Sequence, residues 1–131
     1  MPLQPAPGAV PITGTEVVAR AVPQTRALLD ALENPMAVTS ASIERGRDRF
    51  EIYCRPCHGS EGRGDGPIAP KLANAVRDLT SETVRRASDG WIYGVMTGGF
   101  GALMPEQGSK LRSEDRWNIV NYVRVLQGAS Q

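Results

Sequence analysis

Both cysteines and the single histidine of this 131-residue chain fall within five consecutive residues, Cys54-Arg55-Pro56-Cys57-His58. Four glycines follow in the next eight positions, 59–66. Groups three and four positions apart share one face of a helical turn. The two thiols and the imidazole are therefore expected to work together, and the rest of the fold must accommodate whatever they hold. Composition points the same way. Only 5% of residues are aromatic, while 14 glycines and 10 prolines imply a loop-rich fold whose centre is filled by something besides side chains.

The pattern CxxCH is the attachment signature of c-type haem. Two thiols at this spacing each bond one vinyl group of a single porphyrin, and the adjacent imidazole lies under the iron, its other ring nitrogen fixed by a hydrogen bond. The competing readings are weaker. A redox dithiol of the thioredoxin kind belongs in a βαβ setting that the chain does not show. An N/S zinc site has no further Cys or His to draw on. A Cys54–Cys57 disulfide closes too short a loop to constrain much. The expected cofactor is one covalent haem c on Cys54, Cys57 and His58.

Charge excludes several partners. Fifteen basic and fourteen acidic residues leave a net charge of +1, so no global field favours nucleic acid. No stretch approaches the roughly 20 apolar residues of a membrane helix, so no transmembrane helix is expected. The opening MPLQPAPG lacks the basic start and apolar middle of a secretory signal. If the protein is exported, a signal or anchor is expected to have been removed or to lie elsewhere.

Six of the ten prolines lie between Met1 and Pro35, and residues 1–38 read as an extended proline-rich arm. Within it TEVVARAV suits a short strand, and QTRALLDALEN a short helix with Leu28, Leu29 and Leu32 on one side. Neither stands alone, so the arm is expected to lie on the domain behind it or on a partner. Residues 39–131 read as the haem domain. Thr39 is a plausible N-cap for a helix that carries Ile43, Gly46, Phe50, Tyr53 and Cys54 on one face. Further helices are expected in SETVRRAS after a possible cap at Thr80, and in GWIYGVM, ended by Gly98 and Gly99. The last runs through SEDRWNIVNYVRVLQ, with Ser113 as cap candidate, Trp117, Ile119, Val120, Tyr122, Val123 and Leu126 as its apolar positions, and Gly128 beyond its end. The class is all-α, with short helices and long loops.

The second axial ligand decides what such a haem does, because His/Met ligation marks an electron carrier of raised potential and an open position marks an enzyme or gas sensor. Four methionines compete. Met1 is terminal and Met36 precedes the haem helix. Met96 sits in a helix, where filling a core gap is its simplest role. Met104, in GGFGALMPEQG, lies in a loop that can cross a flat cofactor, stiffened by Pro105. Met104 is the expected ligand, with Met96 and an open sixth position as alternatives. Tyr53, Leu72, Trp91, Ile92, Val95, Phe100 and Leu103 are candidates for the apolar shell, and Arg63, Lys71, Arg77 and Trp91 for contact with the propionates.

Over about residues 39 to 127 the sequence resembles class I cytochromes c. The resemblance is carried by the helix with Gly46 and Phe50 before CxxCH, the GxGDGP loop, the Met-Pro loop and a final helix with Tyr122. It implies the class I cytochrome c fold, in which Gly46 and Phe50 meet Tyr122 where the first and last helices cross. It also implies that the carbonyl of Pro67 accepts from the axial histidine. More narrowly, NPM…TSASIERGRDRFEIYCRPCHGSEGRGDG and MPEQ…LRSEDRWNIVNYVRVLQ resemble the monohaem cytochrome c subunit of bacterial alternative complex III. That resemblance implies an electron-transfer subunit, not an enzyme in its own right, in a membrane-bound respiratory quinol-oxidising complex. It would sit in the periplasm on the outer side of the cytoplasmic membrane, with redox proteins and neighbouring subunits as partners and the arm contacting them. The lipid-anchor cysteine usual in that subunit has no counterpart before Cys54. A diffusible periplasmic cytochrome c, or the haem subunit of an oxidase or dehydrogenase, is the alternative; a haem enzyme or ligand sensor is the alternative of another class.

Overall fold

The computed structural model describes residues 9–12, 16–101 and 103–129. Two four-residue strands, β1 (Ala9–Ile12) and β2 (Glu16–Ala19), pair antiparallel with Ala9 opposite Ala19 and Ile12 opposite Glu16. The helices are α1 (Arg26–Asp30), α2 (Ser40–Tyr53), α3 (Arg55–His58), α4 (Glu82–Arg86), α5 (Asp89–Gly98) and α6 (Ser113–Ala129), with 3-10 turns at Pro23–Thr25 and Ala69–Leu72. Among the described residues the strands pair only with each other, and the architecture is all-α.

The frame is the crossing of α2 with α6. Thr39 starts α2 as expected, its Oγ1 accepting from the Ser42 amide at 3.1 Å, a cap worth about 1 kcal/mol. Gly46 is buried where α2 meets α6, and a Cβ there would overlap the Asn118 carbonyl. Only glycine allows two helix backbones so close. One turn on, Phe50, fully buried, stands edge to face with Tyr122 at 5.3 Å. The contact implied by the resemblance is present.

Polar groups fill the same interface. Ser42 Oγ donates to Asn118 Oδ1 at 2.6 Å and accepts from Asn121 Nδ2 at 2.9 Å. Asn121 also donates to the Met36 carbonyl and accepts from Asn34 Nδ2, at 3.1 and 2.8 Å. These buried amides cost little because they satisfy one another. They also fasten the segment before α2 to the final helix. Arg45 closes the interface with a two-pronged ion pair to Asp115, at 2.8 and 3.0 Å.

Helix α5 packs on both α6 and α1. Tyr93 of α5 stacks on Trp117 of α6, centroids 4.0 Å apart and planes within 9°, and the buried Arg116 guanidinium lies over the Tyr93 ring at 5.1 Å. Leu29 of α1 is 1% exposed and sits on the small-residue face that Gly90 and Gly94 give α5. Burying a leucine contributes about 1.5–3 kcal/mol, which a five-residue helix needs because it cannot persist alone.

Four local expectations are corrected. Leu28 and Leu32, expected beside Leu29, are 56% and 38% exposed: Leu28, next to Leu29 in the chain, points to another side of the turn, and Leu32 lies beyond the end of α1 at Asp30. Thr80 does not cap α4. Ser81 precedes the helix, while Thr80 bonds to Asp78 through its amide and hydroxyl. Ser113 is the first residue of α6, its hydroxyl within 3.0 Å of the Tyr93 hydroxyl. Gly128 lies inside α6, which continues to Ala129.

Candidate functional site

The cysteine motif is one turn of helix continuing from α2. The Cys54 amide donates to Phe50 at 2.9 Å, and the Cys54 carbonyl accepts from Cys57 and His58 at 3.2 and 2.9 Å. Pro56 is tolerated because an amide in the first turn of a helix has no partner to lose. Cys54, Cys57 and His58 are thus brought to one side of a single turn, both sulfurs as free thiols.

The glycines wrap a loop back over this turn. Gly64, Gly66 and Ile68 donate to the carbonyls of His58, Cys57 and Pro56, at 2.8, 3.0 and 2.9 Å. A helix end leaves its last carbonyls unsatisfied, and here three successive loop amides satisfy them. Gly66 must be glycine because a Cβ would strike the carbonyls of Arg55 and Pro56.

His58 is buried, and its Nδ1 donates to the carbonyl of Arg77 at 3.0 Å. This replaces the acceptor expected from the resemblance. Pro67 is exposed and forms the corner of a turn closed by Ala69 N–H on Gly66 O at 3.0 Å, which leads the chain away into the 3-10 turn. The chain comes back at residues 76–79, where Leu79 N–H bonds Gly62 O at 2.6 Å. Gly64, at φ 84°, admits the backbone of Val76 and Arg77 against it. Burial lowers the His58 pKa, opposed by the bond to Arg77. Burial thus favours the neutral ring, the form a metal ligand takes, and with Nδ1 engaged Nε2 is the nitrogen left for that task.

The residues fit a covalent haem. Burial, and after it the neighbouring Cys57, pushes the Cys54 thiol up to about 12. The surroundings disfavour a thiolate and suit the uncharged sulfur of a thioether. Ile68, bonded to the motif through Pro56, and Phe100 and Leu103 in the loop of Met104 expose 40%, 43% and 48% of their surface, large apolar side chains left open to solvent in the two segments expected to meet the haem. Of the other shell candidates, Ile92 is buried, and Tyr53, Leu72, Trp91 and Val95 are half-buried.

Met104 is half-buried in the loop between α5 and α6. Phe100 and Met104 exchange backbone hydrogen bonds at 3.1 and 3.2 Å, and the chain returns to the end of α5 through Gln107 N–H on Met96 O and Gly108 N–H on Thr97 O. Met96 is 4% exposed within the core of α5 and α6, the gap-filling place expected of it. Met36 packs partly against the same core, and Met1 lies outside the described residues. Arg55 points to solvent and pairs with Glu51 at 2.8 Å, and Arg63 pairs with Glu61 at 3.1 Å. Lys71 is exposed. Arg77 is exposed and acts on the site through its backbone, which no side-chain pattern announces; the Gly62-Arg63-Gly64 spacing was the only signal that a second strand of chain would pass there.

A family profile described as "Cytochrome C oxidase, cbb3-type, subunit III" matches residues 41–123. Among solved structures, a reducing HAO-like protein complex of Kuenenia stuttgartiensis contains a chain 30% identical to this one, with TM-score 0.62, over 74% of this chain and 48% of that one. Cytochrome cL of Methylophaga aminisulfidivorans is 21% identical, with TM-score 0.55, over 86% of this chain and 69% of that one. Cytochrome cL of Hyphomicrobium denitrificans is 18% identical, with TM-score 0.57, over 90% and 64%. The chain therefore spans about half the length of the Kuenenia protein. The two cytochromes cL share its fold. A search of curated proteins gives no match.

Proposed function

Since this chain belongs to the cytochrome c family described as cbb3-type cytochrome c oxidase subunit III, with the all-α class I fold and one covalent haem c, we propose that it is a one-electron carrier whose iron is held by His58 and Met104. The observation that carries the reading is the motif turn: two free thiols beside a buried imidazole whose Nδ1 is already committed to the Arg77 carbonyl. Haem c supplies the redox chemistry, exchanging single electrons between Fe(II) and Fe(III). The protein's part is to fix the ligands and exclude water. Cys54 and Cys57 would anchor the porphyrin, and the Arg77 carbonyl would hold the axial ring in one tautomer. Met104, half-buried in a loop while Met96 and Met36 pack against the core, would complete six-coordination and favour the reduced state.

The division into an arm, residues 1–38, and a haem domain, residues 39–131, is proposed as a functional one. Cytochrome c domains of this family lie outside the cytoplasmic membrane, and no helix among the described residues is long and apolar enough to cross it. The finer proposal is a fixed subunit of a quinol-oxidising complex of the alternative complex III type, with the arm lying against neighbouring subunits. It is supported by the resemblance of the two long motifs and by a related chain found within a complex.

Optical spectra of the holoprotein test the carrier reading. The oxidised protein should show the far-red band of a thioether on ferric haem c, and Met104→Ala should abolish it while leaving the haem covalently attached. Absence of the band in the unaltered protein, with rapid carbon monoxide binding when reduced, would indicate an open site and overturn the assignment. Purification from native membranes in mild detergent tests the finer proposal: recovery of the chain alone would refute fixed membership.

A further inference from the structure

The loop that carries Met104 is soft at its N-terminal end. Gly98 and Gly99 precede it, and Gly99 and Gly101 take positive φ, 79° and 59°, conformations that only permissive backbone adopts freely. The far end is tied back to α5 by Gln107 and Gly108, so the glycine end is the one that gains from being held from outside.

Two arginines of the arm reach it. Arg26, the first residue of α1, lays its guanidinium over the Trp91 ring, Cζ 4.4 Å from the centroid. Trp91 stands edge to face with Phe100 at 6.4 Å and 75°, and Phe100 is the residue whose backbone exchanges both hydrogen bonds with Met104. Separately, Arg20 Nη2 donates to the Gly101 carbonyl at 3.4 Å. Arg26 is itself fixed. Its Nε bonds both carboxylate oxygens of Asp30 at 3.2 and 3.1 Å, and Asp30 accepts from Ser88 Oγ at the N-terminus of α5. With Leu29 seated on Gly90 and Gly94, α1 is registered on the helix from which the methionine loop departs.

The geometry points to Arg26 and Arg20 as positioning residues for the sixth ligand: the arm latches Phe100 and Gly101 in place, Arg26 through Trp91 and Phe100, Arg20 through the Gly101 carbonyl. This inference rests on the reading that Met104 ligates the iron.

The test is imidazole titration of the oxidised holoprotein, in which the added base competes with the methionine and the far-red band reports displacement. Arg26→Gln should raise the apparent imidazole affinity about threefold, the equivalent of one exposed cation–π contact, and adding Arg20→Gln should raise it further. Arg26→Lys, which keeps the cation, should restore part of the difference. In a Trp91→Leu background Arg26→Gln should have no additional effect, as expected of two residues acting through one contact. Phe100→Leu serves the same cycle if the Trp91 variant does not accumulate. Arg86→Gln, which removes an exposed pair with Glu82, is the control and should leave the affinity unchanged. If the unaltered protein shows the band and Arg26→Gln binds imidazole no more tightly, or the Arg26 and Trp91 effects simply add, the latch is refuted while Met104 stands. If the unaltered protein lacks the band, Met104 is not the ligand and the latch falls with it.

Discussion

Gly64→Ala tests whether the second loop governs the axial histidine. Gly64 has φ 84°, and a Cβ there would lie 2.6 Å from the Val76 carbonyl oxygen and 3.4 Å from that of Arg77. Alanine in this conformation costs roughly 1–2 kcal/mol, and displacing packed backbone by about half an ångström adds roughly 1–3 kcal/mol. The retreating segment carries the Arg77 carbonyl away from His58 Nδ1, now 3.0 Å distant. That hydrogen bond makes the imidazole a more basic ligand, which favours Fe(III). A neutral hydrogen bond is worth about 1 kcal/mol net, and 59 mV corresponds to a tenfold change for one electron. If most of the bond's value belongs to the oxidised state, its loss should raise the midpoint potential by about 40 mV. Spectroelectrochemical titration of the holoprotein measures this, alongside guanidinium unfolding for the stability loss. Gly64→Asn, which tolerates positive φ, separates the Cβ contact from the backbone cost and should retain most of the potential shift. A destabilised variant with an unchanged potential would show that the Arg77 carbonyl does not tune the site, and a fall in potential would refute the sign of the argument.

Gly46→Ala should destabilise the holoprotein by about 3 kcal/mol despite the better helix propensity of alanine, because separating α2 from α6 also strains the Ser42–Asn118 bond and the Phe50–Tyr122 contact; a loss below 1 kcal/mol in guanidinium unfolding would contradict the close crossing. Asp115 offers a pH test. Its carboxyl is held below the usual carboxylate range chiefly by the hydrogen bond from Arg45, so its stabilisation is present above about pH 4 and lost as pH falls through the lowered folded-state value. With Arg45 half in solvent, Asp115→Asn should cost about 1 kcal/mol at pH 7, and the difference from the unaltered protein should narrow progressively as pH falls below about 4; a gap that stays constant down to acid unfolding would sink the assignment.

Much of this architecture was written in side-chain identity. The CxxCH spacing, the Thr39 cap, the apolar positions of α6 and the pairing of Gly46 and Phe50 with Tyr122 each depend on what a residue is, and each appears in the structure. The strand Glu16–Ala19 fell within TEVVARAV for the same reason. What escaped was carried by backbone. The acceptor at His58 is a carbonyl, and every residue has one, so Pro67 and Arg77 were indistinguishable until the path of residues 76–79 was known. The burial of Asn118 and Asn121 was equally hidden, since an amide reads as solvent-facing unless its partners, here Ser42 and Asn34, are known to arrive from distant parts of the chain. Leu28 and Leu32 escaped for another reason: the helix turns Leu28 away from Leu29 and ends before Leu32.

The α2–α6 crossing also imposes an order in time. Ser42 and Asn118, which bond across it, are 76 residues apart in the chain, and so large a loop closes late because its entropy must be met before the contacts reward it. Until α6 docks, Gly46 and Phe50 have no covering, and Cys54, which continues the same helix, lies on a half-built face. In the closed fold Cys54 is buried and Cys57 half-buried, so late docking of the last helix bears on the first thiol more than on the second.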